Sequence, residues 1–80
     1  MLNKYLVAFS DLMMPKAWIK SFNGTSIEAV QDKIKDYLRD NWQWSDSDSY
    51  LWNLDYHDFI KELLCKYDIA IGDIEDFETM

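Results

Sequence analysis

The side chains most capable of chemistry are concentrated between Asp40 and Asp58. Trp42, Trp44, Tyr50, Trp52 and Tyr56 are interleaved there with Asp40, Asp46, Asp48, Asp55 and Asp58. Trp and Tyr dominate binding hot spots because they bury a large area at small entropic cost. Carboxylates set around them would pair with Lys or Arg on a nucleic-acid-binding protein, imitating the spacing of phosphates. On this reading Trp42, Trp44 and Trp52 are anchors, and Asp46, Asp48, Asp55 and Asp58 oppose basic groups of a partner. A purely structural reading stands beside it. The tryptophans would close the open end of a small core, and the aspartates would cap a helix and solvate a loop.

A catalytic reading has little to build on. Catalysis needs a positioned acid, base or nucleophile supported by a second group. His57 is the only histidine, and Asp55 and Asp58 beside it would fall on different faces of a helical start. The pattern Asp46-x-Asp48 imitates the opening of a calcium loop. The glycine expected at its sixth position is Leu51, however, and the glutamate expected at its twelfth is His57. No Cys/His pairing suits zinc, and the chain has neither a phosphate loop nor a dinucleotide fingerprint. The expectation is a binding protein without enzymatic activity, metal or cofactor.

Charge gives that expectation a direction. Residues 1–39 carry six basic groups against four acids, a balance of +2. Residues 40–80 carry eleven acids against Lys61 and Lys66, a balance of −9, which completes the net −7 of the chain. An acidic half repels nucleic acid and anionic lipid and is steered towards basic protein surfaces.

Size and composition set the frame around these residues. Eighty residues, 49% of them hydrophobic, make one domain over 1–80 with a core that is short of area. The single cysteine, Cys65, excludes an intrachain disulfide, and its apolar run Phe59-Ile60-x-x-Leu63-Leu64-Cys65 predicts a buried structural thiol. The apolar stretch at the start is too short for a secretory signal, and no run reaches the ~18 residues of a membrane span. These features point to the cytosol and away from membranes.

Periodicity places the motifs. The run Tyr5–Phe9 alternates and predicts a strand, and 17–22 predicts a second, with Trp18, Lys20 and Phe22 on one face and Ile19 on the other. The connection 10–16 is long for a hairpin, and the two strands are expected to be antiparallel. Asn23-Gly24-Thr25 predicts a turn, and Thr25 with Glu28 reads as a capping box. The helix that follows places Ile27, Val30, Ile34, Tyr37 and Leu38 on one stripe. Residues 40–49 read as a loop. A second helix starts between Ser49 and Asp55, with Phe59, Ile60, Leu63, Leu64 and Tyr67 facing the core. A third strand is expected within 69–78, bent at Gly72. The predicted fold is α+β, a small antiparallel sheet of about three strands packed against two helices in the order ββααβ.

Two further features have a place in this frame. Met13-Met14 could be a flexible contact on the hairpin connection or could pack beneath it. Asp73, Glu75, Asp76 and Glu78 read as the wet face of an edge strand, or as an extension of the acidic surface.

The segments Lys4-Tyr5-Leu6-Val7-Ala8-Phe9 and Ala17-Trp18-Ile19-Lys20-Ser21-Phe22, with the helix from Ser26 to Leu38, resemble those of small phage and prophage proteins. The ending Tyr67-Asp68-Ile69-Ala70-Ile71-Gly72-Asp73-Ile74-Glu75-Asp76-Phe77 is similar to theirs as well. The resemblance rests on packing and turn patterns. It implies an anti-CRISPR or anti-restriction inhibitor, active in the host cytosol, that occupies a basic groove of a CRISPR effector or restriction nuclease without binding nucleic acid itself. A self-associating structural or assembly module is the alternative.

Overall fold

A computed structural model describes residues 3–76. Two long strands come first, β1 (Asn3–Asp11) and β2 (Lys16–Gly24), paired antiparallel along their whole length from Asn3↔Gly24 to Asp11↔Lys16. The hairpin is longer and its turn tighter than the periodicity implied, because pairing continues through Ser10, Asp11, Lys16 and Ala17. Asp11 closes the turn by accepting the backbone N–H groups of Met13 (3.1 Å) and Met14 (3.3 Å), a local side-chain turn typical of aspartate.

The helix α1 (Ile27–Asn41) follows. Its N-cap is Ser26, whose Oγ accepts the Ala29 N–H at 3.2 Å, so the expected capping box of Thr25 and Glu28 is replaced by a one-way cap one residue later. That shift leaves Ile27 exposed in the first turn and gives the core stripe to Val30, Ile34 and Leu38. Residues 46–49, expected as loop, and 50–53, within the span where the second helix was expected to start, form a separate 3₁₀ helix, Asp46–Asn53, that buries Leu51. Next comes α2 (Tyr56–Tyr67), capped by Asp55, which accepts the Asp58 N–H at 2.9 Å. Asp68 ends it at φ 55°, a left-handed conformation that aspartate tolerates better than most residues.

The expected third strand is two short ones, β3 (Ile69–Ile71) and β4 (Glu75–Asp76), separated at Gly72. Both pair antiparallel with β1, opposite β2, so β1 is central and β2 is the long edge. The part of that expectation at residues 77 and 78 lies outside the described residues. The α+β class holds, with the order ββααββ and the 3₁₀ helix between the two α-helices.

All of the core lies on one side of the sheet. Tyr5, Val7, Phe9, Phe22 and Ile69 from the strands meet Val30, Ile34 and Leu38 of α1, Leu51, and Phe59 and Leu63 of α2. Each fully buried apolar side chain of this size contributes on the order of 1.5–3 kcal/mol, so the 3₁₀ helix, through Leu51, belongs to the folded core. Leu64 and Cys65 sit on the outer face of α2, so Cys65 is an exposed free thiol and not a buried one. The apolar run was wider than the buried stripe, because only Phe59 and Leu63 of the helix are fully buried. No helix among the described residues is long and apolar enough to cross a membrane.

Candidate partner-binding surface

The segment 40–58 is held by the ends of both helices. Helix α1 stops with its last carbonyls needing donors, as every helix does. Asn41 Nδ2 donates to the Tyr37 carbonyl (2.8 Å), and Trp44 Nε1 donates to the Leu38 carbonyl (3.0 Å). Trp44 therefore serves as a side-chain cap of α1. Its ring stands edge-on to Trp52 (5.3 Å, 83°) and to Tyr67 (5.1 Å, 85°). Trp52 in turn leans on Phe59 at 5.7 Å. Both rings are half-buried against the core.

Trp42 goes the other way. It stacks on Trp18 of β2 (5.7 Å, 18°), which stacks on Phe9 (5.5 Å, 15°), with Tyr37 edge-on at 6.0 Å. Trp18 Nε1 donates to the Tyr37 hydroxyl at 3.1 Å. The tryptophans expected as one anchor set thus split between two places. Trp42 lines a cleft of about 450 Å³ with Asp11, Met14, Lys16, Trp18, Tyr37 and Asn41. Trp18, Lys16 and Tyr37 had no place in the sequence reading of a site. The available signal was the pairing of Trp18 and Lys20 on the core-facing side of an edge strand.

The aspartates separate by role. Asp48 is only 5% exposed and faces inward. Its Oδ2 accepts the Ser45 N–H (2.9 Å) and Ser45 Oγ–H (3.0 Å), and its Oδ1 accepts the Tyr67 hydroxyl. These bonds, Tyr67's first and the Ser45 amide's next, hold its pKa below the usual carboxylate value. Both of its oxygens thus accept bonds from its own chain. Asp55 caps α2 but remains exposed, as do Asp46 and Asp58. Asp58 shares a depression of about 300 Å³ with Tyr50, Leu54, Lys61 and Glu62. Tyr50 donates to Glu62 Oε2 at 2.8 Å and lies beneath the Lys66 ammonium, 4.7 Å from the ring centre.

His57 is exposed on α2. Among the described residues no group of three or more His, Cys, Asp or Glu side chains is placed to hold a metal ion. Among the described residues Arg39 forms ion pairs with Asp36 (2.8 Å) and Asp40 (3.8 Å). Asp46, Asp55 and Asp58 make none among the described residues. Comparison with known proteins finds no matching family model, no similar curated protein and no similar solved structure.

Proposed function

We propose that this chain is an acidic binding protein that occupies a basic, nucleic-acid-binding groove on a partner protein, as a phage-type inhibitor of a defence nuclease would. One observation carries the reading. Asp46, Asp55 and Asp58 are exposed carboxylates that form no ion pair among the described residues, in a half of the chain with a balance of −9. Unpaired carboxylates beside half-buried Trp and Tyr rings suit charge-assisted contact with Lys or Arg at the rim and apolar contact at the centre. Asp48 drops out of the contacting set because its oxygens serve Tyr67 and Ser45. Trp44 and Trp52 are half-buried, and Trp42 belongs to the neighbouring cleft.

The test is capture from a nuclease-treated bacterial lysate on the immobilised chain. A nucleic-acid-binding protein is expected to be retained, and to be released by duplex DNA or by raised salt, which screens exposed charge. The double variant Asp46→Lys/Asp58→Lys should retain it poorly. Capture that resists both DNA and salt, and that survives the charge reversal, would remove the reading.

A further inference from the structure

We propose that the cleft between the hairpin turn and the end of α1 binds a free α-amino acid with an aromatic side chain, its ammonium at Asp11 and its carboxylate at Lys16. The cleft holds about 450 Å³, within the range of small-molecule sites. The hairpin contributes Asp11, Met14 and Lys16 to its lining, and the end of α1 contributes Tyr37 and Asn41. Trp18 of β2 joins the two parts, stacked on Trp42 and hydrogen-bonded to Tyr37.

A split charge pair carries the proposal. Asp11 and Lys16 are direct cross-strand partners, on the side of the sheet that faces the core. Opposite charges in such positions ordinarily attract and pair. Among the described residues these two form no ion pair, and both border the cleft. Asp11 Oδ1 is committed to the Met13 and Met14 N–H groups, which orients the carboxylate, while no described residue donates to its Oδ2. The Lys16 ammonium stands 5.7 Å from the centre of the Trp18 ring, near the ~6 Å limit of such contacts. An anchored carboxylate and a loosely held ammonium thus face one space.

The signs of these groups select the ligand. A simple anion would be repelled by Asp11, and a simple cation by Lys16. An α-amino acid carries an ammonium and a carboxylate on one carbon and meets each with its opposite, in charge-assisted hydrogen bonds. The α1 side supplies one more acceptor and one more donor. Asn41 uses its Nδ2 on the Tyr37 carbonyl and keeps its Oδ1 to accept, and the Tyr37 hydroxyl accepts from Trp18 and keeps its own proton to donate.

The rings select the side chain. Phe9, Trp18 and Trp42 form a near-parallel row from the core to the cleft, with centres 5.5 and 5.7 Å apart and tilts of 15° and 18°. Trp18 is fixed in this row by Phe9 and by its bond to Tyr37, so the site is largely formed before a ligand arrives. Aromatic rings favour neighbours with centres about 4.5–7 Å away, and a ligand ring against Trp42 extends the row. Met14, exposed on the turn, is an adaptable apolar contact for the same ring.

Titration of the isotopically labelled chain with L-phenylalanine, followed by magnetic resonance of the indole N–H groups of its four tryptophans, tests this. The Trp18 and Trp42 signals should shift saturably, with a Kd in the millimolar range for so small a ligand, while those of Trp44 and Trp52 stay in place. N-acetyl-phenylalanine lacks the ammonium and phenylalaninamide lacks the carboxylate, and each should bind at least about tenfold more weakly. Glycine, without a ring, should bind no better than they do. Asp11→Asn keeps an oxygen for the turn, and Lys16→Met keeps an apolar stem at an exposed position. Each should weaken phenylalanine binding by a similar factor, and Lys16→Met provides the test if Asp11→Asn does not fold. No saturable shift up to the solubility limit of phenylalanine overturns the proposal. So does binding that is equally tight for the blocked forms, or unchanged in both folded variants. Asp46→Lys/Asp58→Lys should bind phenylalanine as wild type does, which separates the cleft from the acidic surface.

Discussion

The Tyr67 hydroxyl donates to Asp48 Oδ1 across nineteen residues, joining the last turn of α2 to the 3₁₀ helix. The bond favours the ionised carboxylate and the neutral phenol, so it moves the two groups in opposite directions. Asp48 falls below 3.8, and Tyr67 rises from 10.0 to about 12, in each case with this bond as the first cause.

The signs set a pH window. A depressed carboxylate stabilises the fold above its unfolded value, 3.8, and loses that contribution as pH falls through the folded one. A raised phenol stabilises below 10.0 and loses its contribution as pH rises through about 12. Thermal midpoints should therefore be level at neutral pH and fall at both extremes. Tyr67→Phe should lower the neutral plateau and flatten the acid limb. An acid limb as steep as that of wild type would show that Asp48 is not held by Tyr67.

Tyr56 is the counterexample. Its hydroxyl is buried without a hydrogen-bond partner among the described residues, and burial first, then the charge of Asp73, pushes its pKa up to about 12. Replacing an orphaned polar group by an apolar isostere is neutral or stabilising. Tyr56→Phe should leave the thermal midpoint unchanged or raise it, where Tyr67→Phe lowers it. A fall with Tyr56→Phe would mean that its hydroxyl has a partner in solution.

Leu51 tests whether the 3₁₀ helix is part of the fold or an appendage. It is fully buried with Phe59, Leu63 and Leu38 in the core. Leu51→Ala should cost about 2–5 kcal/mol in urea unfolding. A loss well below that range would make 46–53 a surface loop.

The start of α1 is checked by a pair of caps. Ser26→Ala removes the bond to the Ala29 N–H and should cost about 1 kcal/mol. Thr25→Ala, outside the helix, should stay within about 0.5 kcal/mol. Reversed magnitudes would restore the cap to Thr25.

Local signals in the chain determined the elements. Alternation in Tyr5–Phe9, the Ile/Val/Leu stripe of α1 and the capping aspartate before α2 are read over a few residues, and each produced its element. The same signals misplaced Cys65 and Leu64, because periodicity shows that a helix has an apolar side but not how wide a strip its neighbours cover. Between Asp40 and Asp58 local pattern could only report that aromatics and carboxylates coincide. Tertiary structure decided the rest. It sent Trp42 to Trp18 and Trp44 and Trp52 towards α2, and it drew Asp48 inward to Tyr67 while leaving Asp46, Asp55 and Asp58 outside. Which of several identical carboxylates meets the Tyr67 hydroxyl depends on where a distant segment packs, and that contact is made across the fold, not along the chain.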